Sequence, residues 1–186
     1  KYSEKTNTQN ICLSGGYALN VVTNEYLIKM LPNKNFYFEP LADDSGNSIG
    51  AAMYIYRCLT KDKKINKLKH TFFNNKKHEI EIKGKTTSPK EIAKLLNDQK
   101  IVAVFNGVAE GGPRALGNRS ILFDPRNPSA KKIVNQVKNR EWYRPFAASI
   151  LKKYFEEYFE THGLIESKFM TISFQSKTNK IPGVVH

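Results

Sequence analysis

Hydrophobic positions along the chain come in short runs punctuated by glycine, proline and polar clusters, the pattern of alternating strands and helices. Ile11-Cys12-Leu13 is an apolar run that stops at Ser14-Gly15-Gly16; Ala18, Leu19, Val22, Leu27, Ile28 and Leu31 then recur at helical spacing, so this stretch predicts strand, glycine turn, helix. Phe36-Tyr37-Phe38 predicts a second strand, residues 40 to 48 a polar loop, and Ile49 to Leu59 an apolar helix opened by small residues. His78-Glu79-Ile80-Glu81-Ile82 alternates as one further strand. Ser88-Pro89-Lys90-Glu91 is a helix start, with Ser88 as cap, Pro89 at the first helical position and Glu91 completing a capping box; that helix runs to about Asp98. Ile101 to Phe105 reads as a buried strand and Ile121-Leu122-Phe123 as another. Asn127-Pro128 caps a helix carrying Ile133, Val134 and Val137 on one face. The expected class is α/β (mixed α+β), two units joined by a basic connector.

Composition narrows the reading. With 186 residues, 40% of them hydrophobic, the chain can bury a core without staples. Cys12 and Cys58 both lie in apolar runs of the kind that core positions have, which excludes a disulfide scaffold. No run reaches the roughly 20 apolar residues of a membrane span, and Lys1-Tyr2-Ser3-Glu4 has no signal-peptide character, so a reducing cytoplasm is expected. The net charge of +13 invites a nucleic-acid reading, but it is uneven. Residues 1 to 60 are neutral, whereas residues 61 to 90 hold ten lysines against three acidic groups. Such a run with few aromatics reads first as a solvated face or linker.

Four stretches carry candidate chemistry. In Ser14-Gly15-Gly16-Tyr17-Ala18-Leu19-Asn20 two glycines separate a strand from a helix, where a phosphate can approach the backbone, or where a tight turn needs no ligand at all. Asp43-Asp44-Ser45-Gly46 precedes a helix; its carboxylates can cap that helix, the reading spacing alone favours, or ligate a cation. Asn106 to Ser120 sets four glycines, a proline, Arg114 and Arg119 after a hydrophobic strand, presenting guanidinium forks suited to phosphate or carboxylate. In Lys138-Asn139-Arg140-Glu141-Trp142-Tyr143-Arg144-Pro145-Phe146 an extended backbone places Lys138, Arg140 and Arg144 on one face. Four scattered histidines form no metal motif.

These stretches, in this order, resemble the NodU/CmcH family of O-carbamoyltransferases. The likeness rests on Leu13-Ser-Gly-Gly-Tyr-Ala-Leu-Asn20 with Asn24, Asp44-Ser-Gly-Asn-Ser-Ile-Gly-Ala-Ala52, Glu110-Gly-Gly-Pro-Arg-Ala-Leu-Gly-Asn-Arg-Ser-Ile-Leu122 with Asp124-Pro-Arg126, and Val137-Lys-Asn-Arg-Glu-Trp-Tyr-Arg-Pro-Phe-Ala147. The resemblance implies the end of an actin/hexokinase-like ATPase domain at 1–66, a basic connector at 67–86 and most of a YrdC-like domain at 87–186. It implies that carbamoyl phosphate and ATP are joined into carbamoyl adenylate and pyrophosphate, and that the carbamoyl group then passes to a hydroxyl of a small molecule. Arg114, Lys138 and Arg144, with Arg140 and Arg119 beside them and Arg126 as a further candidate, are then expected to contact carbamoyl phosphate and ATP. Gly15, Gly16 and Asn20 are expected to form a nucleotide-contacting turn, and Asp44 to ligate a metal, iron(II) or another divalent ion, with Mg2+ accompanying ATP. No residue is singled out as catalytic.

The family's two metal-binding histidines have no counterpart in these residues, and Ile181-Pro-Gly-Val-Val-His186 resembles the beginning of a longer family segment, so an internal fragment without complete activity is expected. A homo-oligomer is compatible with the sequence. Two other readings compete: a threonylcarbamoyl-type tRNA-modifying enzyme, which shares the domain types and suits a basic chain, and a nucleic-acid-binding module using the lysines of residues 61 to 90. The motif wording favours the small-molecule branch.

Overall fold

A computed structural model describes residues 2–64, 68–73 and 84–186, which form two compact units with interleaved chain segments. The first takes the described residues of Lys1–Asn74 together with Glu110–Leu116 and His162–Phe174. It holds helix α1 (Tyr2–Lys5), strand β1 (Asn10–Leu13), helix α2 (Val21–Met30), strand β2 (Asn35–Phe38) and helix α3 (Asn47–Thr60). β1 and β2 pair in parallel, Ile11 opposite Phe36 and Leu13 opposite Phe38, with α2 as the crossover that parallel pairing demands. Between β1 and α2 a 3-10 turn, Gly16–Leu19, precedes the α-helix. Asn20 then caps α2 by accepting a hydrogen bond from the Thr23 N–H.

Among the described residues of this unit, Ala18, Phe38, Pro40, Leu41 and Ala42 are the buried apolar ones. Two later segments complete the unit. The Gly111 N–H donates to the Thr71 carbonyl at 2.6 Å, and a β-bridge joins Phe72 to Glu110. Gly112, at φ +88°, brings its backbone so close to Leu41 that an added Cβ would sit 2.9 Å from the Leu41 Cδ2, so the position suits glycine in both respects.

The second unit, the described residues of Asn75–Ala109 with Gly117–Thr161 and Gln175–His186, holds α4 (Pro89–Asn97), β3 (Val102–Phe105), β4 (Arg119–Leu122), α5 (Ala130–Val137) and α6 (Phe155–Tyr158). β3 and β4 form an antiparallel pair with Val102 opposite Leu122 and Phe105 opposite Arg119. Buried apolar residues are Ala130, Val134, Phe155 and Ile181. The chain is thus of mixed α/β class.

Several local expectations need correction. Cys12 and Cys58 are free and exposed, not core. Cys58 lies on α3, every residue of which is exposed, and burial of an apolar run requires a covering layer that the described residues of this unit do not provide. β3 is not a buried strand: its residues alternate between half-buried and exposed, and among the described residues it pairs with β4 alone. Ser88 caps α4 as expected by accepting from the Glu91 N–H. The Glu91 carboxylate, however, binds Lys85 at 2.8 Å and the Thr87 hydroxyl at 2.6 Å, so only half of the capping box forms. α5 begins at Ala130, and Asn127 instead turns the chain into it by accepting from the Ser129 N–H. The expected strand at His78–Ile82 lies outside the described residues.

Candidate functional site

The first unit carries the glycine turn, Asp44 and Arg114. Gly15 adopts φ +86° and ψ 160°, a conformation open mainly to glycine, and a Cβ at Gly15 or Gly16 would meet nothing within 4 Å. The turn therefore has open space against its backbone. Arg114 reaches this turn: its Nη2 donates to the Leu19 carbonyl at 3.1 Å, while its Nε is buried with no hydrogen-bond partner among the described residues. The Glu110 carboxylate accepts from the Leu116 N–H at 2.8 Å and closes the loop that carries Arg114.

The two carboxylates before α3 divide their roles. Asp43 caps, accepting from the Ser45 N–H at 3.3 Å and from the Ser45 hydroxyl. Asp44 is exposed and has no partner among the described residues. One free carboxylate is a single metal donor. Among the described residues no three His, Cys, Asp or Glu side chains come together, so these residues do not by themselves make up a metal site.

The second unit carries the remaining cations, and they fall into two groups. Arg119 Nη1 donates to the Asn106 carbonyl at 2.8 Å and the Asn118 carbonyl at 2.9 Å, its Nη2 to the Gly107 carbonyl at 3.2 Å, and its guanidinium lies 3.5 Å above the Phe105 ring. Arg140 Nε donates to Asn135 Oδ1 at 2.9 Å and its Nη2 to the Pro145 carbonyl at 3.0 Å, with the Phe146 ring beneath. Arg126 is committed to Asp124, which is 3% exposed and accepts from its Nε and Nη2; Asn97 and Gln99 complete that network. The hydrogen bonds from the Arg126 side chain are the largest cause of the lowered Asp124 pKa.

Lys138 and Arg144 are different. Lys138 is exposed and its ammonium has no partner among the described residues. Arg144 pairs with Glu141 at 2.7 Å, both side chains being half exposed. Such a surface pair contributes little, so a phosphate can displace the carboxylate at small cost. The extended segment expected here is absent. Instead, Asn135, 1% exposed, donates from Nδ2 to the carbonyls of Trp142 and Arg144 and accepts from Arg140, which wraps residues 138 to 146 into turns. Asn135 was not among the expected residues. Its signal is a polar side chain beside Ile133 and Val134 on an amphipathic helix.

Comparison with known proteins agrees with this order of motifs. A family model described as carbamoyltransferase N-terminus matches residues 1–53, and one described as carbamoyltransferase C-terminus matches residues 93–186. The chain belongs to the NodU/CmcH carbamoyltransferase family. Among its relatives, Nodulation protein NolNO of Sinorhizobium fredii is 32% identical over all of this chain and 30% of its own length. Nodulation protein U of Bradyrhizobium diazoefficiens is 31% identical over all of the chain and 33% of its own length. An uncharacterised protein of Methanocaldococcus jannaschii is 33% identical over 98% of the chain and 33% of its own length. The chain thus spans about a third of the length of these family members. Among the described residues no helix is long and apolar enough to cross a membrane.

Proposed function

We propose that this chain works in an ATP-dependent O-carbamoyltransferase that makes carbamoyl adenylate and passes its carbamoyl group to a hydroxyl of a small molecule. In this reading residues 1–66 belong to an actin/hexokinase-like ATPase domain and residues 87–186 to a YrdC-like domain. Atom balance requires one water: carbamoyl phosphate is cleaved to carbamate and phosphate, the carbamate oxygen attacks the α-phosphorus of ATP, and pyrophosphate leaves. In the transfer step the acceptor oxygen attacks the carbamoyl carbon, its proton goes to a base, and AMP departs.

The observation that carries the reading is the ammonium of Lys138, free of partners among the described residues, together with the displaceable guanidinium of Arg144 on one tethered loop, within the segment matched by the carbamoyltransferase C-terminal family. Two polyanions must meet in the first step, and preorganised cations are what lowers that electrostatic cost. Arg140 holds the loop that carries these cations, through Asn135 and the Pro145 carbonyl, and Arg119 is engaged with the Asn106–Asn118 loop of the same unit. In the other unit Gly15, Gly16 and Asn20 offer an open turn for a nucleotide phosphate, and Arg114 holds that turn through Leu19. Asp44 would give a divalent metal one carboxylate of its coordination sphere. Such a metal, when bound, would supply Lewis-acid polarisation of the phosphate or carbamoyl oxygens.

The test is release of pyrophosphate from ATP by the protein carrying this chain. Release should require carbamoyl phosphate, and Lys138→Ala and Arg144→Ala should each lower it at least about tenfold, equivalent to about 1.4 kcal/mol, with little change in Tm. Pyrophosphate release indifferent to carbamoyl phosphate, or wild-type rates in both variants, would exclude the reading.

A further inference from the structure

Residues 141 to 144 form a tight turn, closed by the Arg144 N–H donating to the Glu141 carbonyl at 3.2 Å. Its two central positions are Trp142 and Tyr143. Turn centres ordinarily hold glycine, asparagine, proline or serine, because the side chains there point into water and gain nothing from being large. Here Trp142 is 76% exposed and Tyr143 58% exposed, with their rings edge to face at 6.0 Å. Neither ring contributes appreciably to the buried core, so the fold does not explain the two aromatics.

The turn is also held from below. Asn135 fixes the carbonyls of Trp142 and Arg144, and Arg140 is anchored on Asn135 and the Pro145 carbonyl. An exposed indole on a tethered backbone loses little entropy on binding, which is the condition for a preformed stacking surface. The flanking cations specify the ligand. Lys138, whose ammonium has no partner among the described residues, lies four positions before Trp142, and Arg144, whose guanidinium pairs with Glu141, lies two after it. A flat ring plus anionic groups is the chemistry of a nucleotide: base on the indole, phosphates on the cations.

We infer that Trp142 is the stacking residue for the base of a purine nucleotide whose phosphates meet Lys138 and Arg144. The inference rests on the proposed use of ATP by this protein and adds the group that recognises the base.

Trp142 is the one tryptophan of these 186 residues, so in the protein carrying this chain the difference in emission between parent and Trp142→Phe reports on the turn. Titration with ATP should quench this emission saturably, whereas inorganic tripolyphosphate, which has the charge and no base, should leave it nearly unchanged. In the protein carrying this chain, Trp142→Ala should raise KM for ATP at least about tenfold while KM for carbamoyl phosphate moves less than about twofold. Trp142→Phe should recover most of the loss, which a merely structural role would not require. Equal quenching by tripolyphosphate, an unchanged KM for ATP in Trp142→Ala, or parallel rises in both KM values would overturn the assignment. Quenching by ATP without any carbamoyl-phosphate-dependent pyrophosphate release would instead remove the carbamoyl reading and leave the nucleotide site standing.

Discussion

Asn24, on α2, donates its Nδ2 to the Thr171 carbonyl at 2.7 Å across 147 residues of sequence, and gives its second hydrogen to the Ala18 carbonyl at 2.7 Å. Glu25, the next residue, binds the Ser173 hydroxyl at 2.6 Å and His162 Nε2 at 3.1 Å. Two adjacent side chains thus clasp the segment His162–Phe174 to the helix that follows the glycine turn. Asn24 is 1% exposed, so neither carbonyl has water to turn to when the amide is removed. Asn24→Leu, close in volume and without donors, should cost about 1 to 3 kcal/mol and lower Tm by several degrees. A thermal melt unchanged in this variant would show that the clasp contributes nothing.

Acid should weaken the fold through Asp124. Its carboxyl is held below the usual value chiefly by the Arg126 hydrogen bonds, with burial opposing. A lowered folded-state pKa means that the ionised form is favoured by folding, so this contribution is complete above the unfolded value of about 4 and is lost as pH falls through the lower folded value. Glu25, also lowered despite the opposing effect of burial, acts in the same direction. Melts taken from pH 6 downward should show Tm falling below about pH 4, and Asp124→Asn should flatten that fall. An equal acid slope in variant and parent would remove Asp124 from the explanation.

Arg140 and Lys138 should separate folding from chemistry. Arg140→Ala leaves Asn135 Oδ1 and the Pro145 carbonyl short of a donor, and should cost about 1 to 3 kcal/mol. Lys138→Ala removes no hydrogen bond within the described residues and should melt within about 0.5 kcal/mol of the parent. Paired denaturant titrations decide it, and equal midpoints would mean that the loop is not held as described.

Asp43 and Asp44 are neighbours with opposite expectations. Asp43→Ala removes the acceptor for Ser45 and should cost about 1 kcal/mol of stability. Asp44→Asn should leave Tm nearly unchanged and lower the bound divalent metal of the protein carrying this chain, measured by elemental analysis. Full metal content in Asp44→Asn would strike it from the ligand set.

What the sequence determined by itself was local. The β1, turn, α2, β2 order, the start of α4 at Ser88-Pro89 and the existence of β3, β4 and α5 all follow from hydrophobic period, glycine breaks and capping chemistry, which act within a few residues. The family motifs were equally legible, because a motif is a fixed string of residue types. What only the tertiary structure decided was the partner of each polar group. Arginines 114, 119 and 140 donate to carbonyls of Leu19, Asn106 and Pro145, and Thr71 receives Gly111. Every residue presents such a carbonyl, so residue type says nothing about which one a guanidinium will find. The exposure of Cys12 and Cys58 was beyond reach for a related reason: an apolar run states what a residue prefers to contact, and the packing of distant segments decides whether anything arrives to cover it.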